Sequence, residues 1–171
     1  APVVNINLSG ASIASLDLVE FIRDALSRHR IDPSSICFEV TETVAVKHLR
    51  TAIEVISECK KMGLTFALDD FGTGTSSFGY LKNLPVDYLK IDGSFVNNLP
   101  HDSVDRAMTD AINRIGHLMG KVTVGEFAAD ETIIAELRAI GVDFAQGFGV
   151  CKPIPLFPAT ASSEPSPGSR R

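Results

Sequence analysis

Short stretches with the composition of β-strands alternate along this chain with stretches of helical periodicity, and this alternation constrains the fold most strongly. Six segments rich in β-branched and aromatic residues fit strands: residues 3–8, 36–41, 64–69, 87–91, 121–126 and 144–146. Strands that are separated by helices form βαβ units, in which the strands run parallel and the helices cover the sheet. The sequence therefore predicts an α/β domain with a parallel sheet.

Three segments between the strands carry apolar residues at helical spacing, and we expect these stripes to pack against the sheet. The stripes are Leu18, Phe21, Ile22, Ala25 and Leu26; Ile53, Val55, Ile56 and Cys59; and Met108, Ala111, Ile112, Ile115 and Leu118. Gly63, Gly120 and Gly141 follow predicted helices, where glycine commonly ends a helix.

The two faces of the predicted strands differ, because side chains alternate between faces with a period of two. One face is apolar: Ile6, Leu8, Phe38, Val40, Phe66, Leu68, Leu89 and Ile91. The other face is polar, mainly toward the carboxyl ends of the strands. An open doubly wound sheet would be apolar on both faces, whereas a (β/α) barrel carries its functional residues at the carboxyl-end rim. The pattern favours a TIM-like barrel.

The length is too short for a complete barrel of this kind. A typical barrel uses about 31 residues per βα unit, so residues 1–157 hold only about five to six of the eight units. We therefore expect an incomplete barrel from a longer protein. Residues 158–171 are rich in Pro and Ser and contain no large apolar residue, which predicts a disordered tail.

Composition excludes several classes of function. The chain has 171 residues, 44% of them hydrophobic and 22% charged, with a net charge of −5, so it lacks the basic excess of proteins that coat nucleic acids or anionic membranes. No apolar run is long enough to span a bilayer. Cys37, Cys59 and Cys151 lie far apart in the sequence. We interpret them as packing residues of a reducing compartment rather than as disulfide or zinc ligands.

Polar residues gather at the predicted carboxyl ends of the strands. They are four carboxylates, two amides and one ammonium: Asn7, Glu39, Asp69, Asp70, Lys90, Glu126 and Gln146. Carboxylates that share a partly dry site repel one another unless a cation compensates. Oxygen ligands without histidine or cysteine clusters favour Mg²⁺ or Mn²⁺ over zinc. Because Asp69 and Asp70 are expected where a strand becomes a loop, both side chains can reach such metals, as a two-metal hydrolytic site requires.

Each of these residues also has a structural interpretation when it is considered alone. Glu39 and Lys90 can form an ion pair inside a barrel. Asp70 can cap the turn that follows it, and Asn7 can bond to its own loop. A glycine-rich loop at residues 72–77 superficially suggests dinucleotide binding, but Ser77 replaces its third glycine and two aspartates precede it. The recurrence of polar residues at the same end of all six strands favours a joint site.

Five short motifs together resemble one bacterial family. They are Asn-Leu-Ser at 7–9, Phe-Glu-Val-Thr-Glu-Thr at 38–43, Asp-Asp-Phe-Gly-Thr-Gly at 69–74, Leu-Pro-Val-Asp-Tyr-Leu-Lys-Ile-Asp at 84–92, and Gln-Gly-Phe with Lys-Pro at 146–153. In this order they resemble the EAL-domain cyclic-di-GMP phosphodiesterases, over residues 3–155. The resemblance implies a modified TIM barrel that opens cyclic di-GMP with water to linear pGpG.

The resemblance also implies a role for each rim residue. Asn7, Glu39 and Asp69 would bind a first Mg²⁺ or Mn²⁺, Asp69 and Asp70 a second, and Gln146 would complete the site. Lys90 would position the attacking water, and Glu126 would act as general base or as a metal ligand. Glu42 would brace the loop at 71–77. Calcium is expected to inhibit, and the implied setting is a cytoplasmic bacterial homodimer with GGDEF or sensory domains upstream.

The sequence departs from this family in two places. The Glu-Ala-Leu motif and the strands that carry it are absent from the chain, so one metal ligand is missing and we expect this chain alone to be inactive. The family usually has Ala-Glu-Gly-Val-Glu where this chain has Gly-Glu-Phe-Ala-Ala at 125–129. Phe127 and Ala129 thus replace a glycine and a glutamate. The alternative is therefore a degenerate EAL domain that binds cyclic di-GMP as a receptor.

Overall fold

The computed structural model describes residues 3–74 and 78–155. It contains one parallel sheet whose six strands are hydrogen-bonded in sequence order. The strands are β1 Val4–Asn7, β2 Ile36–Thr41, β3 Thr65–Phe71, β4 Tyr88–Ile91, β5 Val122–Gly125 and β6 Phe144–Ala145. All six predicted strands are confirmed, and the sequential parallel order is that of a partial (β/α) barrel. The predicted tail at 158–171 lies outside the described residues.

Seven α-helices connect or follow the strands within the described residues. They are α1 Gly10–Ile13, α2 Asp17–His29, α3 Glu42–Lys47, α4 Leu49–Lys61, α5 Gly93–Val96, α6 Ser103–Leu118 and α7 Glu131–Ile140. Local chemistry sets several of their ends. The Asp102 carboxylate accepts hydrogen bonds from two amides of the first turn of α6, and Gly141 ends α7 at a φ of 89°. None of these helices is long and apolar enough to cross a membrane.

The core lies between the sheet and the helices, as the alternation predicts. Phe38, Val40, Phe66, Leu68, Leu89 and Ile91 are all buried there. On the edge strand β1, however, Ile6 is 39% exposed. Cys37 and Cys59 are buried as packing residues, whereas Cys151 is exposed, so its predicted packing role is wrong.

The predicted stripes of α2 and α6 are partly wrong. In α2, Phe21 is exposed and Val19 is buried instead. In α6, Met108 and Leu118 are exposed, and the buried residues are Thr109, Ile112, Asn113 and Gly116. A side chain at position 116 would lie within 2.8 Å of Thr123, so glycine lets the helix approach β5 closely. The Asn113 side chain donates a hydrogen bond to the Ile140 carbonyl and accepts one from the Thr123 hydroxyl, and apolar periodicity does not predict such contacts.

Strand β3 continues beyond the predicted loop boundary. Leu68 pairs with Leu89 and Phe71 with Ile91, so two residues of β3 oppose one residue of β4. Such an extra residue is a β-bulge. Asp70 lies in the bulge with a φ of 53°. The two consecutive aspartates therefore lie inside a bulged strand and not in a loop.

Candidate metal-dependent hydrolytic site

Lys90 is the centre of the polar group at the carboxyl ends of the strands. Its side chain leaves the middle of β4, is almost fully buried, and lies among three carboxylates. The Nζ atom is 2.7 Å from Asp69 Oδ1, 2.8 Å from Glu126 Oε1 and 3.1 Å from Glu39 Oε2. Strands β2 and β3, and the residue that directly follows β5, thus each direct one carboxylate at a single ammonium group.

Asp70 adds a fourth carboxylate to this group. Oxygen atoms of Asp69, Asp70 and Glu126 all lie within 4.8 Å of one another. The bulge in β3 explains the arrangement, because it cancels the usual alternation and lets neighbouring residues reach one side. We call Glu39, Asp69, Asp70, Lys90 and Glu126 the rim cluster.

The rim cluster has more negative than positive charges, and the pKa values of Glu126, Asp70 and Lys90 are raised. Burial raises the pKa of Glu126 to about 7, although the Lys90 ammonium opposes the rise. Burial, reinforced by the charges of Asp69 and Asp92, raises the pKa of Asp70. Burial alone would lower the pKa of Lys90, but hydrogen bonds to Asp69 and Glu126 outweigh it and raise that pKa. One ammonium therefore faces more carboxylates than it can neutralise.

The rim cluster fits a divalent cation. Glu126 Oε2 is buried and has no hydrogen-bond partner among the described residues. Buried acceptors without partners are rare in native proteins unless an ion or a water satisfies them. The candidate metal-ligand atoms are all carboxylate oxygens, which suits Mg²⁺ or Mn²⁺.

Asn7 and Gln146 lie at the margins of the rim cluster. Asn7 is exposed at the end of β1, where its backbone pairs in register with Glu39. Gln146 directly follows β6, is exposed, and lines a cavity together with Glu39 and Lys90. The structure brings Glu39, Asp69 and Glu126 into direct contact with Lys90. Within the described part of the chain, the side chains of Asn7 and Gln146 form no hydrogen bond or ion pair with the cluster.

Glu42 connects the end of β2 to the segment after β3. One carboxylate oxygen accepts a hydrogen bond of 3.0 Å from the Gly72 amide, and the other accepts one of 2.8 Å from the Tyr80 hydroxyl. A side chain at Gly74 would lie 3.1 Å from the same carboxylate. These contacts hold the described part of the loop predicted at 71–77; residues 75–77 lie outside the description.

Comparison with known proteins decides the family. The protein-family model of the EAL domain matches residues 1–153 of this chain. The chain belongs to the EAL-domain family. This confirms the resemblance drawn from the five motifs.

Two curated relatives of this EAL domain are named as cyclic di-GMP enzymes. The chain is 42% identical over 153 residues to the cyclic di-GMP phosphodiesterase PdeB of Shewanella oneidensis. That match covers 90% of this chain and 18% of PdeB. The chain is 38% identical over 159 residues to MucR of Pseudomonas aeruginosa, a bifunctional diguanylate cyclase and cyclic di-GMP phosphodiesterase; that match covers 93% of this chain and 23% of MucR. The chain thus spans about a fifth of the length of these two relatives.

Solved structures support the fold. A PaMucR phosphodiesterase structure in complex with c-di-GMP superposes with a TM-score of 0.84 at 38% identity, covering 90% of this chain and 62% of that one. The FimX EAL domain of Pseudomonas aeruginosa, bound to c-di-GMP, gives a TM-score of 0.83 at 26% identity and covers 88% and 62%. The EAL domain described here is therefore a half-barrel of six strands, part of a TIM-like barrel.

Two features of this EAL domain site escaped sequence reasoning. Tyr80 bonds to Glu42 across 38 positions, and no periodicity signals such a distant pair. Phe127 adopts a left-handed backbone with a φ of 54°, directly after Glu126. The family's glycine at this position was the available signal, because glycine is the residue that adopts positive φ most readily.

Proposed function

We propose that the full-length protein carrying this domain hydrolyses cyclic di-GMP to linear pGpG with Mg²⁺ or Mn²⁺. The observation that carries the proposal is the rim cluster, in which one lysine faces an excess of carboxylates and one buried carboxylate oxygen lacks a partner. The names of the relatives support the choice of substrate.

The ligand set of the proposal follows the sequence pattern. Asn7, Glu39, Asp69, Asp70 and Gln146 would hold two cations, with Asp69 shared between them. Bound there, the cations would offset the phosphodiester charge and lower the pKa of water. The consecutive aspartates of the bulge support the sharing, since their oxygens already lie close together.

The proton chemistry is assigned to Lys90 and Glu126. Lys90 is fixed by three carboxylates and can orient the attacking water by donating a hydrogen bond to it. Glu126, whose pKa burial raises to about 7, can accept a proton from that water near neutral pH. Water oxygen bonds to phosphorus while the bond to the ribose 3′ oxygen breaks, because pGpG keeps its phosphate at the 5′ end. In the alternative assignment, Glu126 would be a ligand of the second cation.

Incubation of the full-length protein with cyclic di-GMP and Mn²⁺, followed by chromatography, tests this proposal. We expect pGpG to accumulate. The absence of pGpG at high protein concentration contradicts the catalytic proposal. This 171-residue chain alone is expected to be inactive, because it contains no Glu-Ala-Leu motif.

The second candidate function is a receptor for cyclic di-GMP. It is favoured by the segment after Glu126, where Phe127 occupies a strained backbone conformation and Ala129 offers no polar side chain. Calorimetry in Ca²⁺ and product analysis in Mg²⁺ separate the candidates. Binding without turnover supports the receptor, and binding with turnover supports the enzyme.

The proposal includes a homodimer and additional domains. Val104, Met108 and Leu118 are exposed apolar residues at positions of α6 that recur with helical spacing, and they are candidates for the contact between two copies. Substitution of Met108 by Glu should lower the molar mass measured by light scattering to that of a monomer. A GGDEF or sensory domain, as the bifunctional relative MucR suggests, and a cytoplasmic location complete the proposal.

A further inference from the structure

Phe127 has an unusual backbone conformation beside the rim cluster. Its φ of 54° lies in the left-handed region, where a bulky residue is an outlier. Two other non-glycine residues of the described chain share this conformation, and both have an evident reason. Arg30 ends α2, and Asp70 belongs to the bulge of the rim cluster. Conformations of this kind concentrate at functional sites, where the surrounding structure enforces them.

The ring of Phe127 is exposed and yet has a defined place. It is 62% exposed, but its inner side covers Gly93, the first residue of α5. A Cβ atom at Gly93 would lie 2.4 Å from Cδ2 and 2.7 Å from Cγ of the ring. Gly93 therefore leaves room for the ring, which is fixed on one side and open to solvent on the other.

A cavity of about 380 Å³ lies beside this ring. Phe127, Phe148 and Asn97 line it, together with Glu126 of the rim cluster. Phe148 is itself 66% exposed. An apolar cavity with exposed aromatic rings thus adjoins the carboxylate that we assign to the chemistry, and small-molecule sites combine such walls with a few polar groups.

We propose that Phe127, with Phe148 as a second wall of the cavity, stacks on a guanine base of the cyclic dinucleotide. This inference rests on the proposed function. The charged phosphodiester belongs at the rim cluster, so the part of the substrate that remains for an adjoining apolar cavity is a base. Purines present flat apolar faces, and stacking on an aromatic side chain contributes substantially to nucleotide affinity. The Asn97 amide can then bond to the edge of the base.

Four variants of the full-length protein test the inference. Phe127→Gly and Phe127→Leu remove the ring, Phe127→Tyr retains it, and Phe21→Ala removes an equally exposed ring from α2 as a control. We expect the first two to raise KM for cyclic di-GMP, and Kd in Ca²⁺ calorimetry, about tenfold, with kcat within about twofold of wild type. Phe21→Ala should match wild type, and Phe127→Tyr, which keeps an aromatic ring, should retain most of the affinity that the other two lose. Because glycine tolerates this backbone, Phe127→Gly should not lower the Tm.

The contact with Gly93 provides a second measurement. Gly93→Ala places a methyl group where the ring lies, so it should displace the ring and raise Kd. In the Gly93→Ala, Phe127→Gly double variant the ring is gone, and Kd should equal that of Phe127→Gly alone.

The outcomes separate this inference from the proposed function. Unchanged KM and Kd in Phe127→Gly and Phe127→Leu, with an active wild type, overturn the stacking role alone. A fall in kcat at constant KM also overturns it, because the ring would then only position Glu126. A wild-type protein that neither binds nor hydrolyses cyclic di-GMP overturns both.

Discussion

Two polar regions lie at opposite ends of the sheet, and they differ in how their charges are satisfied. At the carboxyl ends, the rim cluster sets one ammonium against four carboxylates. At the amino ends of β5 and β6 lies a second group, which we call the base network: Asn113, His117, Thr123 and Asp143. Its hydrogen bonds link α6 to the start of both strands.

The base network is nearly self-sufficient. Thr123 Oγ1 lies 2.6 Å from Asn113 Oδ1 and 3.0 Å from Asp143 Oδ2, and the Thr123 amide donates to the same Asp143 oxygen at 2.8 Å. The His117 ring lies 2.8 Å from that oxygen. Burial raises the pKa of Asp143, but its hydrogen bonds to Thr123 and His117 outweigh burial and lower it.

The comparison shows that a group of hydrogen-bonded polar side chains does not by itself mark a functional site. The base network contains a threonine, a histidine and an aspartate, which are residue types that also occur in catalytic sites. Its single carboxylate, however, is surrounded by hydrogen-bond donors. The rim cluster has surplus negative charge, raised carboxyl pKa values and an oxygen without a partner. An excess of negative charge that the protein itself does not neutralise is therefore the property that indicates a cation-binding site.

Removal of divalent cations sharpens this comparison most strongly. In EDTA we expect hydrolysis by the full-length protein to fall to background, because the rim cluster then repels the phosphodiester. Mn²⁺ or Mg²⁺ should restore it and Ca²⁺ should not, as measured by pGpG chromatography. The cations should also raise the Tm, by mass action on the folded state. Hydrolysis that persists in EDTA contradicts the assignment of the rim cluster as a cation site.

Substitution of Glu126 by Gln is the next largest expected effect. It removes the proton acceptor while preserving shape, so hydrolysis should fall about 10³-fold. The Tm in EDTA should not fall, because the change also removes one of the mutually repelling carboxylates. Steady-state kinetics and thermal unfolding measure the two effects.

The exposed Glu20→Gln change on α2 is the matched control, since it removes a carboxylate far from the rim cluster. It should leave both measurements unchanged. If Glu126→Gln lowers the Tm and retains activity, the carboxylate has the structural role of an ion-pair partner for Lys90, and the two polar regions do not differ as described.

The sequence was sufficient for the strands and for much of the rim cluster. Strand alternation depends on neighbouring residues only, so the faces that carry Glu39 and Lys90 can be identified without any knowledge of pairing. The motifs at the strand ends then bring Asp69 and Glu126 to the same rim. These properties are local and recur in every strand.

Sequence patterns did not predict the features that depend on contacts between residues far apart in the chain. The bulge at Asp70 arises from pairing of β3 with β4, and the sequence suggested only a loop there. The buried face of α6 depends on the close approach of Gly116 to Thr123. The position of Phe127 likewise depends on Gly93, which precedes it by 34 positions. Periodicity within one element carries no information about such contacts.

Substitution of Thr123 by Val tests the opposite half of the comparison. Valine keeps the shape but leaves the buried Asn113 oxygen without its donor, which should lower the free energy of unfolding by about 1 to 3 kcal/mol. Urea unfolding measures the loss, with the exposed Thr132→Val as control. Hydrolysis per folded molecule should remain unchanged. A large loss of activity in folded protein would show that the base network is coupled to the rim cluster.

The smallest expected effect is the contribution of the Asp143 charge to stability in acid. Because hydrogen bonds lower its pKa in the folded state, ionised Asp143 stabilises the fold above the pKa of an unfolded aspartate, near 4. That stability is lost as the pH falls through the folded-state pKa.

The Asp143 side chain is 37% exposed, so solvent screening should limit the contribution of its charge to about 1 kcal/mol or less. Asp143→Asn should therefore be slightly less stable than wild type at pH 6, and the difference in stability should shrink as the pH falls below the pKa of an unfolded aspartate. A difference that persists or grows in acid would mean that neutral hydrogen bonds alone, rather than charge, hold the base network together.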